Sequence, residues 1–317
     1  MSRAFRAGAG AGLLALAYAA AVGWARSPRR TGASEAEVEA AMDRQFRGAA
    51  PRHRYLASSG GRTHLIDIGG GSQTTLVFLS GVGACAAGYH DLLQELAADR
   101  RIVAIDRFGT GLSTGLRGHG HPRKAWVGQV EAVLAALGLA SVDLVGHSLG
   151  GMVAGALAVE RPELVRRVAL VSPLGVAREH PWSWSAALVP GALDVASALS
   201  RRRSLAAAED DPGGQDPCQL AADRWWGASD LHSVGKLIRP RGFRAEALLL
   251  PELGLLQDRV LLIWGDQDRQ LSLEAARREL LAYPALPLEV LPGAGHLVPL
   301  ERPGEVAGAI RRWLDAG

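Results

Sequence analysis

Short, mostly apolar runs recur along this chain with helix-like stretches between them, and that alternation constrains the fold more than any other feature. Residues 63–68, 75–79, 101–105, 142–145, 168–171, 260–264 and 288–291 each read as a strand. Runs that are apolar at successive positions are buried on both faces, as in parallel sheets. Residues 89–99, 126–137, 151–160 and 303–314 carry helical spacing; in the second, Val127, Val130, Val133, Leu134 and Leu137 share one side. The alternation predicts an α/β fold, a mostly parallel twisted sheet with helices on both faces.

The pattern breaks between residues 176 and 250. That stretch holds Trp182, Trp184, Trp225 and Trp226, a polar run over 209–216, and no clear strand. It reads as a largely helical insertion, leaving 54–175 and 251–317 as the core. There is no internal repeat. The 317 residues suffice for one large domain with an insertion, and 48% hydrophobic against 21% charged residues places the chain among globular proteins.

The net charge of +3 belongs to the N-terminus. Arg3, Arg6, Arg26, Arg29 and Arg30 precede the first acid, Glu35, and without them the remainder carries −2. No basic stripe with interleaved aromatics follows, so a nucleic-acid partner is not expected. Residues 7–25 are uncharged and rich in Ala and Gly, with basic residues on both sides. Residues 1–30 therefore read as a signal peptide or membrane anchor, with 7–25 the candidate membrane segment, and the chain is expected to be exported or membrane-anchored. An Ala-rich soluble helix, and with it a cytoplasmic location, is the alternative. Residues 31–53 read as a short helix (35–47) and a tether. Cys85 and Cys218 match no metal-ligand spacing and read as two unrelated thiols, unless export permits a disulfide.

Gly146-His147-Ser148-Leu149-Gly150 places a serine between the strand at 142–145 and the helix at 151–160. A serine on such a tight turn projects its hydroxyl free of the sheet, and flanking glycines let the turn close. Gly111-Leu112-Ser113-Thr114-Gly115 fits the same pattern, but residues 116–122 after it cannot open a helix. Ser148 is therefore the candidate nucleophile and Ser113 a turn residue.

A serine hydroxyl needs a neighbouring base, commonly histidine. Of nine histidines, His147 adjoins the serine but is directed away from its hydroxyl, His119 and His121 lie in a Gly-rich loop, and His53 and His64 precede the core. His296 follows the last strand, where a loop reaches over the C-terminal sheet edge. The acid that orients such a base is Asp268 or Asp266, both after strand 260–264; Asp268 sits deeper in the loop and is favoured. The amide of Leu149 supplies half of an oxyanion hole, and that of Val82, in the loop after strand 75–79, the other half.

Four blocks together resemble the α/β-hydrolase fold family over about residues 60–317: residues 79–83, 106–113, 146–151, and 265–268 followed by 293–303. The resemblance implies a serine hydrolase with the triad in the order Ser148, Asp268, His296, an oxyanion donor at Val82, a structural role for the 106–113 loop, and a lid at 176–250. This chain reads Ser80-Gly81 where the family usually reads His-Gly. Relatives that open epoxides or displace halide place aspartate at the position of Ser148, so an ester, lactone or related small-molecule acyl substrate is expected, with no cofactor and no metal. The lid tryptophans line an acyl pocket or pack the lid on the core. Acyltransferase, C–C bond hydrolase and haloperoxidase-like activities are reachable from the same residues. A non-catalytic binding protein is the rival of another class. Oligomeric state is not legible.

Overall fold

A computed structural model describes residues 34–48, 51–58, 61–114, 122–179, 237–239, 242–250 and 252–316, with isolated positions between 17 and 22 and between 184 and 218. Most of the expected leader, His119 and His121, Trp182, Trp225 and Trp226, and most of the expected lid lie outside the described residues.

One eight-stranded sheet organises the chain in the order β1-β2-β4-β3-β5-β6-β9-β10. Its strands are β1 (Arg52–Ser58), β2 (Gly61–Ile68), β3 (Leu76–Leu79), β4 (Ile102–Ile105), β5 (Val142–His147), β6 (Val165–Val171), β9 (Val260–Gly265) and β10 (Leu288–Leu291). β1 and β2 pair antiparallel, β2 is antiparallel to β4, and the remaining pairs are parallel. A small hairpin, β7 (Ile238–Arg239) with β8 (Gly242–Phe243), lies in the stretch expected to lack strands.

Alternate residues along each strand enter different cores. Leu65, Val77, Leu79, Val103, Ile105, Leu144, Leu262 and Trp264 join one buried cluster with α3 (Pro122–Ala136), α4 (Leu149–Glu160) and α5 (Leu273–Leu280). Ile66, Leu76, Phe78, Ile102, Ala104, Val145, Leu261 and Ile263 join the other with α1 (Glu35–Asp43), α2 (His90–Leu96) and α7 (Pro303–Asp315), the last following the single turn α6 (Val298–Glu301). The mostly apolar runs in the sequence follow from this two-sided burial.

Several elements differ from expectation. β1 begins within the expected tether, and α5 and the β7–β8 hairpin carried no assignment. Helix α3 opens at Pro122, where proline's missing N–H has no helical acceptor to satisfy. Helix α1 is docked rather than tethering: Val38, Ala41, Met42 and nearby Phe46 are buried. A nine-residue helix is too short to persist alone. Its support is this apolar contact, on the order of 1.5–3 kcal/mol per large side chain, and a capping box in which Ser34 Oγ accepts from the Glu37 amide and the Glu37 carboxylate from the Ser34 amide.

Candidate active site

The C-terminal ends of β5, β9 and β10 feed three loops into one place. Ser148 sits between β5 and α4 at φ 53°, ψ −115°, a conformation non-glycine residues rarely adopt. Backbone bonds hold it: its amide donates to the Val171 carbonyl at 2.9 Å, and its carbonyl accepts from Met152 and Leu174 at 3.1 and 3.0 Å. The turn can close because Gly146 has no side chain, since a Cβ there would lie 2.4 Å from the Gly150 carbonyl oxygen, and Gly150 packs against the neighbouring strand end, where a Cβ would lie 2.2 Å from the Leu79 carbonyl oxygen.

His296 Nε2 lies 3.0 Å from Ser148 Oγ, and His296 Nδ1 lies 2.8 Å from Asp268 Oδ2. All three residues are buried. Asp268 Oδ1 accepts from the amides of Gln270 and Leu271, both at 2.8 Å. Burial alone would raise the Asp268 pKa, but the hydrogen bond and charge of His296 and the two amides outweigh it and hold the carboxyl below its usual range. The ionised carboxylate fixes the proton on His296 Nδ1, leaving Nε2 to accept from the serine hydroxyl. Asp266 is exposed and accepts from the Gly293 amide at 2.8 Å, bracing the loop that carries His296. The two loops meet backbone to backbone at Gly265, where a Cβ would lie 2.3 Å from the Ala294 carbonyl oxygen.

Leu149 opens α4, so its amide belongs to the first-turn donors without a helical acceptor. Val82 lines the same pocket as Ser148 and His296. Ser80, in place of the family's usual histidine, braces this loop by donating Oγ to the Ala84 carbonyl at 2.8 Å. Arg107 adds bonds to the carbonyls of Ser80 (3.2 Å) and Gly81 (2.6 Å). The rival serine, Ser113, is buried, its Oγ donating to the Asp106 carbonyl at 2.5 Å and accepting from the His64 amide at 2.8 Å. His147 faces away from the Ser148 hydroxyl, toward Tyr89 Oη and the His296 carbonyl.

The pocket encloses about 520 Å³. Gln45, His90 and Gln270 line it beside the residues above, and Leu297 and Leu300 reach its rim. Sequence reasoning found none of these five; Gln45 arrives only because α1 docks. Among the described lining residues there is no Asp, Glu, Lys or Arg. Cys218 also lines the pocket and forms a disulfide with Cys85, overturning the reading of two unrelated thiols. Spacing gave no hint of the pair, because the loop it closes is too long for a sequence signature. Among the described residues no His, Cys, Asp and Glu group is arranged to hold a metal ion. Among the same residues no helix is long and apolar enough to cross a membrane.

Residues 76–309 match the model of the alpha/beta hydrolase family, and the chain belongs to that family. It is an α/β-fold hydrolase. A similar relative is the 2-hydroxy-6-oxo-2,4-heptadienoate hydrolase of Pseudomonas putida, 29% identical over 256 residues, covering 78% of this chain and 91% of that protein. Among solved structures, the carboxylesterase CesB from Bacillus subtilis matches with TM-score 0.67 and 21% identity, over 89% of this chain and 99% of that one. A bacterial membrane phospholipase A matches with TM-score 0.68 and 21% identity, over 99% and 96%. These two structural likenesses speak to the fold alone.

Proposed function

We propose that the chain is a serine hydrolase that cleaves carboxylic esters or related acyl substrates through an acyl-enzyme on Ser148. His296 Nε2 takes the proton from Ser148 Oγ as the oxygen attacks the substrate carbonyl. The amides of Val82 and Leu149 receive the oxyanion. His296 then returns the proton to the leaving alkoxide, and the acyl group stays on Ser148. Water attacks that ester with His296 again as base, releasing the acid and restoring the serine. Asp268 stays ionised throughout and stabilises the imidazolium. The observation that carries this reading is the hydrogen-bond chain from Ser148 Oγ through His296 to Asp268, at 3.0 and 2.8 Å.

The absence of charged side chains among the described lining residues favours a neutral ester over an acidic substrate. The second reading, C–C bond hydrolysis, is favoured by the relative named a heptadienoate hydrolase. That substrate carries a carboxylate, and no Lys or Arg among the described lining residues faces it. We further infer an exported or membrane-anchored enzyme with residues 1–30 as leader and a lid over 176–250; the disulfide supports an oxidising compartment. A fluorophosphonate probe with a panel of p-nitrophenyl esters tests the main reading. Labelling and turnover that vanish in Ser148→Ala are expected. Turnover of a dienoate but of no ester selects the second reading, and labelling that survives Ser148→Ala rejects Ser148 as nucleophile.

A further inference from the structure

The hydrogen bonds around His147 form a chain whose direction is fixed at every link. Nε2 lies 2.8 Å from the His296 carbonyl oxygen, which can only accept, so Nε2 carries the proton. Nδ1 lies 2.8 Å from the Tyr89 hydroxyl. Burial, with the nearby His296, pushes the His147 pKa down to about 3, so the ring is neutral and Nδ1 is bare. The Tyr89 hydroxyl therefore donates to Nδ1, and its lone pairs accept from the Gly81 amide at 3.0 Å. Gly81 directly precedes Val82. The chain thus runs from the loop of one proposed oxyanion donor, through two buried side chains, to the backbone of the proposed base.

Arg107 and Ser80 grip this loop through its carbonyls, whereas Tyr89 grips the amide of Gly81. The loop is seated directly on the pair, since a Cβ on Gly81 would lie 2.9 Å from His147 Nδ1 and 3.1 Å from Tyr89 Oη. We propose that Tyr89 and His147 are positioning residues that hold the Val82 amide and the His296 imidazole in register, so that both address the same reacting carbonyl. This rests on the roles assigned above to Ser148, His296 and Val82. A misplacement of about 1 Å at such a centre costs up to about 10²-fold in rate.

The test uses the full chain with Tyr89→Phe, His147→Gln and both together. Ester turnover is compared with the affinity of a boronic acid, which forms a tetrahedral adduct on serine. Tyr89→Phe is expected to lower kcat by about 10–100-fold with KM within about twofold, and to weaken the boronic acid in parallel. The acid limb that a histidine base gives the kcat profile should also steepen by a second ionisation. Without the tyrosine donor His147 protonates more readily, and that cation opposes the His296 imidazolium. A purely structural role predicts no such steepening. His147→Gln keeps a donor near the position of Nε2 but offers Tyr89 no acceptor, so the double variant should be no slower than the slower single variant. His147→Asn, which keeps only the acceptor, replaces Tyr89→Phe if the latter does not fold; lost His296 placement then predicts the same kcat loss. A folded Tyr89→Phe with kcat within about twofold of wild type, or multiplicative losses in the double variant, overturns the proposal. Wild-type protein that resists Ser148 labelling and ester turnover instead overturns the reading beneath it.

Discussion

The Cys85–Cys218 disulfide fastens the shoulder of the pocket to a residue 133 positions further along the chain. Closing a loop of that length removes conformational freedom from the unfolded chain, by up to about 5 kcal/mol in the chain-entropy account. Cys85→Ser with Cys218→Ser should therefore lose about 2–4 kcal/mol of stability in urea unfolding. Dithiothreitol should shift the wild type toward the same midpoint and leave the double variant unmoved. Equal midpoints for oxidised wild type and variant would show that the bond does not form.

The two aspartates after β9 should separate cleanly by kinetics. Asp268→Asn keeps the shape but offers His296 the wrong tautomer, a change worth about 10⁴-fold in kcat in the serine protease that serves as the reference case. Asp266→Asn weakens an exposed bond to the Gly293 amide, and should cost about 1 kcal/mol of stability with little change in kcat. Stopped-flow ester hydrolysis and thermal melts measure the two; the reverse order would exchange their roles.

Acid should drain stability through His147. An ordinary histidine takes up a proton near pH 6.5, whereas folded His147 resists protonation down to about 3. Between those values the unfolded state binds more protons, so stability falls as pH falls through this window, and the loss is absent above it. Asp268 acts lower: its pKa is depressed in the folded state, so its contribution is present above the ordinary carboxylate range and is lost as pH falls through its folded value. His147→Asn should accordingly show a shallower fall of melting temperature between about pH 6.5 and 4. Parallel curves for wild type and variant would contradict it.

Two glycine substitutions should behave oppositely. Gly150→Ala drives a Cβ into the Leu79 backbone and should destabilise by about 3 kcal/mol or more. Gly304→Ala, in the first turn of α7 with nothing within 4 Å of the added Cβ, should stabilise by about 0.4–1 kcal/mol. Urea midpoints decide both.

What the sequence made readable was whatever a short segment determines on its own. Ser148, Asp268 and His296 each follow a strand within a few residues, so the end of the strand places them. Contacts that need two distant segments stayed hidden. Tyr89 and His147 meet across 58 positions, and Cys85 and Cys218 across 133. Arg52–Ser58 was missed because an antiparallel strand at the sheet's margin is only half-buried, and its arginines hide the alternation. Leu273–Leu280 did carry a signal. Ser272 caps it by accepting from the Ala275 amide at 3.2 Å, and Leu273, Ala276 and Leu280 fall on one face. Its eight residues were too few to stand out.

The backbone contact at Gly265 leaves no space for any side chain between the loops that carry Asp268 and His296. The Gln267 amide also donates to the Ala294 carbonyl at 2.9 Å, so the two loops are joined as one block. Part of the pocket wall comes from elsewhere, from Gln45 just after α1 and His90 at the start of α2. Exchanging those two side chains would recontour the pocket while leaving the joined Asp268 and His296 loops as they are.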